Sequence, residues 1–169
     1  MSKKVYIMRH AKTEDAFLAD KPDFQRNLTE RGKSDAAMIA ERFRGKHPSP
    51  ELIIASTAIR AADTAKIVAG ATGYAEEKIL WDKDLYLCEA SKIDQVISGI
   101  SGDYTTVLII AHNFGITDFI NHKIEDFFTD NLPTAGIACF ELPITSWNQN
   151  HGQLKGKKIY LDYPKRKIQ

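Results

Sequence analysis

Thr106-Val107-Leu108-Ile109-Ile110-Ala111-His112 runs without a polar interruption from its second residue to the histidine that ends it. A strand with one face in water alternates apolar and polar residues, whereas a continuous β-branched run of this length is buried on both faces. Strands of parallel sheets covered by helices read this way. Val5-Tyr6-Ile7-Met8 is a second such run and delivers Arg9-His10 to its carboxyl end, and Leu52-Ile53-Ile54-Ala55 is a third. Ile79-Leu80-Trp81 is a shorter candidate, and Ile137 to Leu142 and Lys158 to Leu161 supply the last ones.

Helical patterns lie between these strands. Thr29 precedes Ala36, Ile39, Ala40 and Phe43 at helical spacing, and Gly45 and Pro48 stop that run. Ser56-Thr57 are expected to cap a helix from about Ala58 to Thr72, ahead of Gly73. Ser91-Lys92-Ile93-Asp94 reads as a capping box leading a helix with Ile93, Val96, Ile97 and Ile100 on one face. Gly115 opens a pattern of Ile116, Phe119, Ile120, Ile124 and Phe127. Strands alternating with helices predict an α/β fold with a largely parallel central sheet. Lys12 to Leu28, with Pro22 and several acids, reads as a long loop returning over the first strand.

The chain has 169 residues, 43% of them apolar and 27% charged, enough for one core, and it is read as a single domain over residues 1–169. Its 23 Lys plus Arg nearly cancel its 22 Asp plus Glu, so bulk charge argues for neither a nucleic acid nor a membrane partner. The basic stretch Lys155 to Lys167 reads as a solvated tail. Cys88 and Cys139 form no disulfide framework or C-x-x-C pattern, which points to a reduced, cytoplasmic setting. The apolar run before Arg9 is too short for a signal peptide core.

Function is therefore sought at specific residues. In a parallel sheet, His10 and His112 follow two strands whose ends share one rim, where open α/β sheets keep their ligands. Either histidine alone would read as a hydrogen-bonded structural residue. Arg60, in the first turn of the helix after the second strand, starts from the same rim, and a cation there opposes the helix dipole unless an anion sits beside it. Two arginines with two histidines suit a tetrahedral dianion, because guanidinium forks donate paired hydrogen bonds to phosphate oxygens and stay charged. A neutral His10 is then a competent nucleophile, the guanidiniums disfavouring its protonation, and His112 can donate to the phosphoryl oxygens.

Competing phosphate chemistries fit poorly. Neither G-x-x-x-x-G-K-[ST] nor G-x-G-x-x-G occurs. A cysteine phosphatase needs an arginine six residues after its thiolate, but Asp94 follows Cys88 and Thr145 follows Cys139 at that spacing. Asp82-Lys83-Asp84 reads as a solvated turn rather than an aspartyl nucleophile. His47, His122 and His151 lack partners at metal-ligand spacing, so neither metal nor cofactor is expected.

These residues resemble the histidine phosphatase superfamily, and within it the short SixA-like protein-phosphohistidine phosphatases. The resemblance rests on Arg9-His10-Ala11-Lys12-Thr13, Asn27-Leu28-Thr29-Glu30-Arg31-Gly32, Ser56 to Ala65 with Arg60-Ala61-Ala62-Asp63-Thr64, Leu85-Tyr86, Ala111-His112-Asn113 and Leu132-Pro133-Thr134-Ala135. It implies a three-layer α/β/α sandwich of the phosphoglycerate mutase type. It also implies that His10 is transiently phosphorylated, that Arg9, Arg60 and His112 bind the phosphoryl group, and that Thr13 and Asn113 add contacts. Ala11 and Ala16 depart from the glycine and asparagine of larger members. Those members place a catalytic glutamate after the third strand, where Glu89 is an approximate match, and Glu89 reads either as that acid or as a loop or capping carboxylate. The implied substrate is a phosphohistidine on a protein, with inorganic phosphate as product. A small phosphoester, or phosphohistidine binding without turnover, are the other readings.

Overall fold

The computed structural model describes residues 2–166; of the basic stretch considered above, Lys167 lies outside them. Six strands form one sheet in the order β3-β2-β4-β1-β5-β6: β1 is Lys3–Arg9, β2 Leu52–Ala55, β3 Leu80–Trp81, β4 Thr106–Ala111, β5 Ile137–Leu142 and β6 Lys157–Asp162. β3, β2, β4 and β1 run parallel, β5 pairs antiparallel with β1, and β6 pairs antiparallel with β5 at the far edge. The sheet is therefore mostly parallel, as its apolar runs predict.

Period-two side-chain alternation splits each central strand between two cores. Val5, Ile7, Val107, Ile109 and Ala111 pack on one face with Ile93 and Ile97 of α3 (Ala90–Ser98) and Ile116, Phe119 and Ile120 of α4 (Gly115–Lys123). Tyr6, Met8, Leu108 and Ile110 pack on the other with Ala36, Ile39 and Phe43 of α1 (Glu30–Arg44) and Ala61, Ala65 and Val68 of α2 (Ile59–Thr72). The result is three layers. Leaving β1 the chain crosses to the α1 face, and leaving β4 it crosses to the α4 face. Between these neighbouring parallel strands the connections diverge and open a crevice at the carboxyl rim, the switch point where α/β sheets bind ligands.

Several local details decide how the rim is built. Thr29 caps α1 as expected, its hydroxyl accepting from Gly32 N at 2.9 Å. A Cβ on Gly32 would lie 2.1 Å from the Lys12 carbonyl oxygen, so only glycine lets the start of α1 meet the segment after His10. Gly115 plays the same part at α4, where a Cβ would lie 2.1 Å from the Cys88 carbonyl oxygen. That contact holds the Tyr86–Glu89 segment against the turn carrying His112.

Two expected caps are not formed. Ala58, not Ser56 or Thr57, is the N-cap of α2, with no side-chain cap, because the Ser56 hydroxyl faces His112 across the sheet. α3 begins at Ala90 with Glu89 in the cap position, and it too lacks a side-chain cap. Asp94 does not close a box with Ser91; it binds Lys123 Nζ at 2.7 Å and the Asn150 amide at 3.2 Å. α4 stops at Lys123, although its apolar pattern continues, because Ile124 is extended and bridges to Gly156.

The Lys123–Asp94 pair ties α3, α4 and the Trp147–Gln149 turn together with the lysine fully buried. Removing one member leaves the other uncompensated in a low-dielectric site. Lys123→Met is expected to destabilise the fold by about 3–5 kcal/mol, and pairing it with Asp94→Leu should recover most of that loss. Urea unfolding of the two variants measures this directly. No helix among the described residues is long and apolar enough to cross a membrane.

Candidate active site

Arg9 ends β1 opposite Ala111, the last residue of β4, so His10 and His112 emerge side by side. His10 N donates to the Ala111 carbonyl at 3.2 Å, and the His10 carbonyl accepts from Ala135 N at 3.1 Å, which pins the nucleophile candidate's backbone on both sides. Ala135 reaches that bond with φ of 61°, a left-handed conformation unusual for a residue with a Cβ. The two imidazoles lie 5.2 Å apart between centroids, and both are buried.

His10 Nδ1 lies 2.8 Å from the Ala11 carbonyl oxygen. A carbonyl can only accept, so Nδ1 carries the ring proton and Nε2 keeps its lone pair. Ala11 is itself held, its N–H donating to Thr64 Oγ1 at 3.0 Å while that hydroxyl donates to the Arg60 carbonyl at 2.7 Å. Thr64 therefore links the turn at His10 to the first turns of α2.

Arg60 is 2% exposed, and its guanidinium donates to the Asp23 carbonyl at 2.7 Å and to Asp23 Oδ2 at 2.9 Å. The anion that a cation at this helix end requires is thus supplied by the protein's own long loop. Asp23 also accepts from Arg26 Nε and Nη2 at 3.1 and 2.8 Å and from the Tyr86 hydroxyl. Burial alone would raise the Asp23 carboxyl, but the hydrogen bonds from Tyr86, Arg26 and Arg60 together outweigh it and hold the group well below the usual carboxylate range. Tyr86 stacks edge-on against His112 with centroids 5.4 Å apart. Arg9 donates to the Leu132 carbonyl at 2.9 Å.

The other candidates sit differently. Thr13 accepts from Arg26 at 2.7 Å and donates to the Glu14 carbonyl, so its hydroxyl anchors Arg26. Asn113 accepts from Thr117 N at 3.2 Å and from its hydroxyl at 2.6 Å, and it donates to Asn131, whose Oδ1 also meets Arg9 at 3.4 Å. Glu89 is exposed, and its side chain makes no hydrogen bond or ion pair among the described residues. Asp23, Arg26 and Ser56 belong to the cluster, yet residue-level reading gave them no role there. Asp23 and Arg26 lie in a loop without periodicity, and the one local signal was their i, i+3 spacing of opposite charges after Pro22.

Among the described residues, three buried donor-capable atoms are left without a protein partner: Arg9 Nε, Arg60 Nε and His112 Nδ1. Buried polar groups are rarely orphaned, and clusters of them mark where a polar ligand completes the bonding. Guanidinium and imidazole nitrogens left free to donate suit an anion.

Both histidines are held neutral, with pKa values lowered from 6.5 to about 3. For His10, burial contributes most, and the charges of Arg60, Arg9 and Arg26 add to it against the opposing Ala11 carbonyl. For His112, burial again leads, followed by His10 and Arg60, with Asp23 opposing. The unfolded chain protonates these rings near pH 6.5, whereas the folded one waits until about 3. Their contribution to stability is thus fully present above pH 6.5 and is lost as pH falls towards 3. The urea midpoint should accordingly fall between pH 7 and 4, and His112→Gln should make that decline shallower.

Two histidines and two arginines gathered at the carboxyl rim of parallel strands, in an α/β/α sandwich, define a phosphoryl-handling α/β protein. The chain belongs to the histidine phosphatase superfamily (branch 1), whose family model matches residues 5–91, just over half its length. That membership makes it a hydrolase of the phosphatase class. An uncharacterized protein of Mycobacterium leprae is 28% identical over 141 residues, covering 78% of this chain and 84% of the relative. The SixA-type protein of Agrobacterium tumefaciens superposes with a TM-score of 0.81 at 24% identity, covering 97% of this chain and 99% of the other. The protein histidine phosphatase SixA solved with tungstate gives 0.79 at 20% identity, covering 95% and 97%. At these identities the structural likenesses establish the fold, the phosphoglycerate mutase-like α/β sandwich expected above.

Proposed function

We propose that the protein is a metal-independent phosphatase that carries the phosphoryl group transiently on His10 and acts on phosphohistidine in a protein. The observation that carries this reading is the pairing of a fixed lone pair with unspent donors. His10 Nε2 is unprotonated because Nδ1–H is committed to the Ala11 carbonyl, and Arg9 Nε, Arg60 Nε and His112 Nδ1 have no protein partner.

In the first step the Nε2 lone pair attacks phosphorus while the P–N bond of a substrate ring protonated at its other nitrogen breaks, and its electron pair returns to that ring, which leaves as neutral imidazole. Arg9 and Arg60 balance the charge on the equatorial oxygens, the part a divalent cation plays in other phosphoryl-transfer sites. The Nδ1–H bond to the Ala11 carbonyl eases the positive charge that develops on the His10 ring. Water then attacks the phosphorus of phospho-His10, the P–Nε2 bond breaks, and inorganic phosphate leaves with the ring neutral again. A P–N bond is weaker than a phosphoester bond and needs less help from an acid. This accords with a site where Glu89, the nearest match to the family's acid, is exposed and uncommitted. Tungstate in the SixA neighbour is likewise a tetrahedral oxyanion.

The test is incubation with a histidine-phosphorylated protein in the presence of EDTA. Acid-labile phosphate should appear on the wild-type enzyme and inorganic phosphate in solution. An unlabelled enzyme with undiminished substrate would overturn the proposal, and turnover only of phosphoesters would move it to the small-molecule reading.

A further inference from the structure

Ser56 follows the last residue of β2, is completely buried, and places its Oγ 2.7 Å from His112 Nε2. A hydroxyl has one proton to give and can accept from two donors. Ser56 Oγ already faces a donor, the Ala58 N–H at 3.4 Å, and among the described residues His112 Nε2 is the one acceptor within reach of its proton. Every partner is satisfied when Ser56 donates to Nε2. Neutral imidazole carries a single N–H, so an accepting Nε2 puts that proton on Nδ1. Nδ1 is the ring atom of His112 that has no partner in the protein.

The opposite arrangement fails twice. With the proton on Nε2, the Ser56 proton has no acceptor, and Nδ1 presents a bare lone pair beside the position of an anionic phosphoryl group. We propose that Ser56 is a positioning residue that fixes His112 in its Nδ1–H form, so that this N–H donates to a phosphoryl oxygen during transfer to His10. The donation step rests on the reading of His10 as phosphoryl acceptor; the tautomer does not. The neighbouring histidines then have distinct tasks set by their partners. The Ala11 carbonyl makes His10 a nucleophile through Nε2, and the Ser56 hydroxyl makes His112 a donor through Nδ1.

Long-range proton–nitrogen NMR of the wild-type protein near pH 7, with His112 assigned by its loss in His112→Gln, reports which ring nitrogen bears the proton. Nδ1 is the expected result, and a proton on Nε2 overturns the proposal without reference to any activity. Titration with inorganic phosphate should shift the Nδ1–H resonance and slow its exchange, and an unmoved resonance overturns the donation step. Ser56→Ala should mix the two tautomers and lower kcat with phosphoramidate about ten-fold while KM stays within about two-fold, since a preorganised donor acts mainly in the transition state. An unchanged kcat together with an unchanged tautomer overturns the role of Ser56. If the wild type keeps Nδ1–H but turns over no phosphoramidate or phosphohistidine, the phosphatase reading falls and the tautomer assignment stands.

Discussion

Replacement of His10 by alanine should abolish phosphoryl transfer, lowering turnover of a phosphohistidine substrate by about four orders of magnitude or more. No other side chain in the cluster can take the role. The His112 lone pair is engaged by Ser56, the arginines have none, and Asp23 is held by two guanidiniums and a phenol. His10→Gln is the more discriminating variant, because it keeps the volume of the ring and a polar tip but cannot form the phosphoramidate. It should bind inorganic phosphate near the wild-type level, since the guanidiniums remain, while giving no acid-labile label. Rapid quench with a labelled substrate measures both, and appearance of label on His10→Gln would place the nucleophile elsewhere.

Arg60→Ala should produce the second-largest loss, about 10²- to 10³-fold in kcat/KM, the range seen when one preorganised donor to a developing charge is removed. Two effects combine. The phosphoryl site loses a charge that burial keeps from being screened, and Asp23 loses the partner that draws its carboxylate away from the incoming dianion. Arg60→Lys should restore little. An ammonium cannot span the Asp23 carbonyl, its carboxylate and the phosphoryl oxygens from one planar fork. Kinetics with phosphoramidate, alongside circular dichroism to verify folding, separates this expectation from a general loss of structure. Asp23 can hydrate when Arg60 is gone, its side chain being 41% exposed, so the fold should survive.

Asp23 also changes how the site is understood before substrate arrives. An arginine at the start of α2 implies an anion, and that anion is intramolecular. The long loop after β1 lays its own carboxylate on the guanidinium, with Arg26 as a second cation, itself anchored by Thr13. Arg60 thus sits in a network already in balance, which accounts for how a buried arginine is tolerated in the free protein.

Much of this was readable from the chain. Short apolar runs rich in β-branched residues are too short for helices and read as strands buried on both faces, so Val5–Met8, Leu52–Ala55 and Thr106–Ala111 are legible in the chain, and with them the rim on which His10 and His112 stand. The misreadings share one cause. Local rules place Ser56 and Asp94 on the nearest backbone, as caps, because a hydroxyl or carboxylate at a helix start can accept its free N–H groups. In the folded protein a partner 56 residues from Ser56 and another 29 residues from Asp94 compete for the same groups and win. Both partners are buried, His112 with no other side-chain hydrogen bond and Lys123 with one more, to the His151 carbonyl, and an unmet buried group costs more than a missing side-chain cap.

By itself, then, the sequence determined the α/β order, the sheet's largely parallel character and the gathering of Arg9, His10, Arg60 and His112 at one edge, because apolar periodicity and strand-end chemistry act over a few neighbouring residues. Only the tertiary structure decided which nitrogen of each histidine is free, that Asp23 answers Arg60, and that Ser56 serves His112 rather than α2. Those outcomes depend on which strands become neighbours in the sheet, and no window of the chain contains both partners.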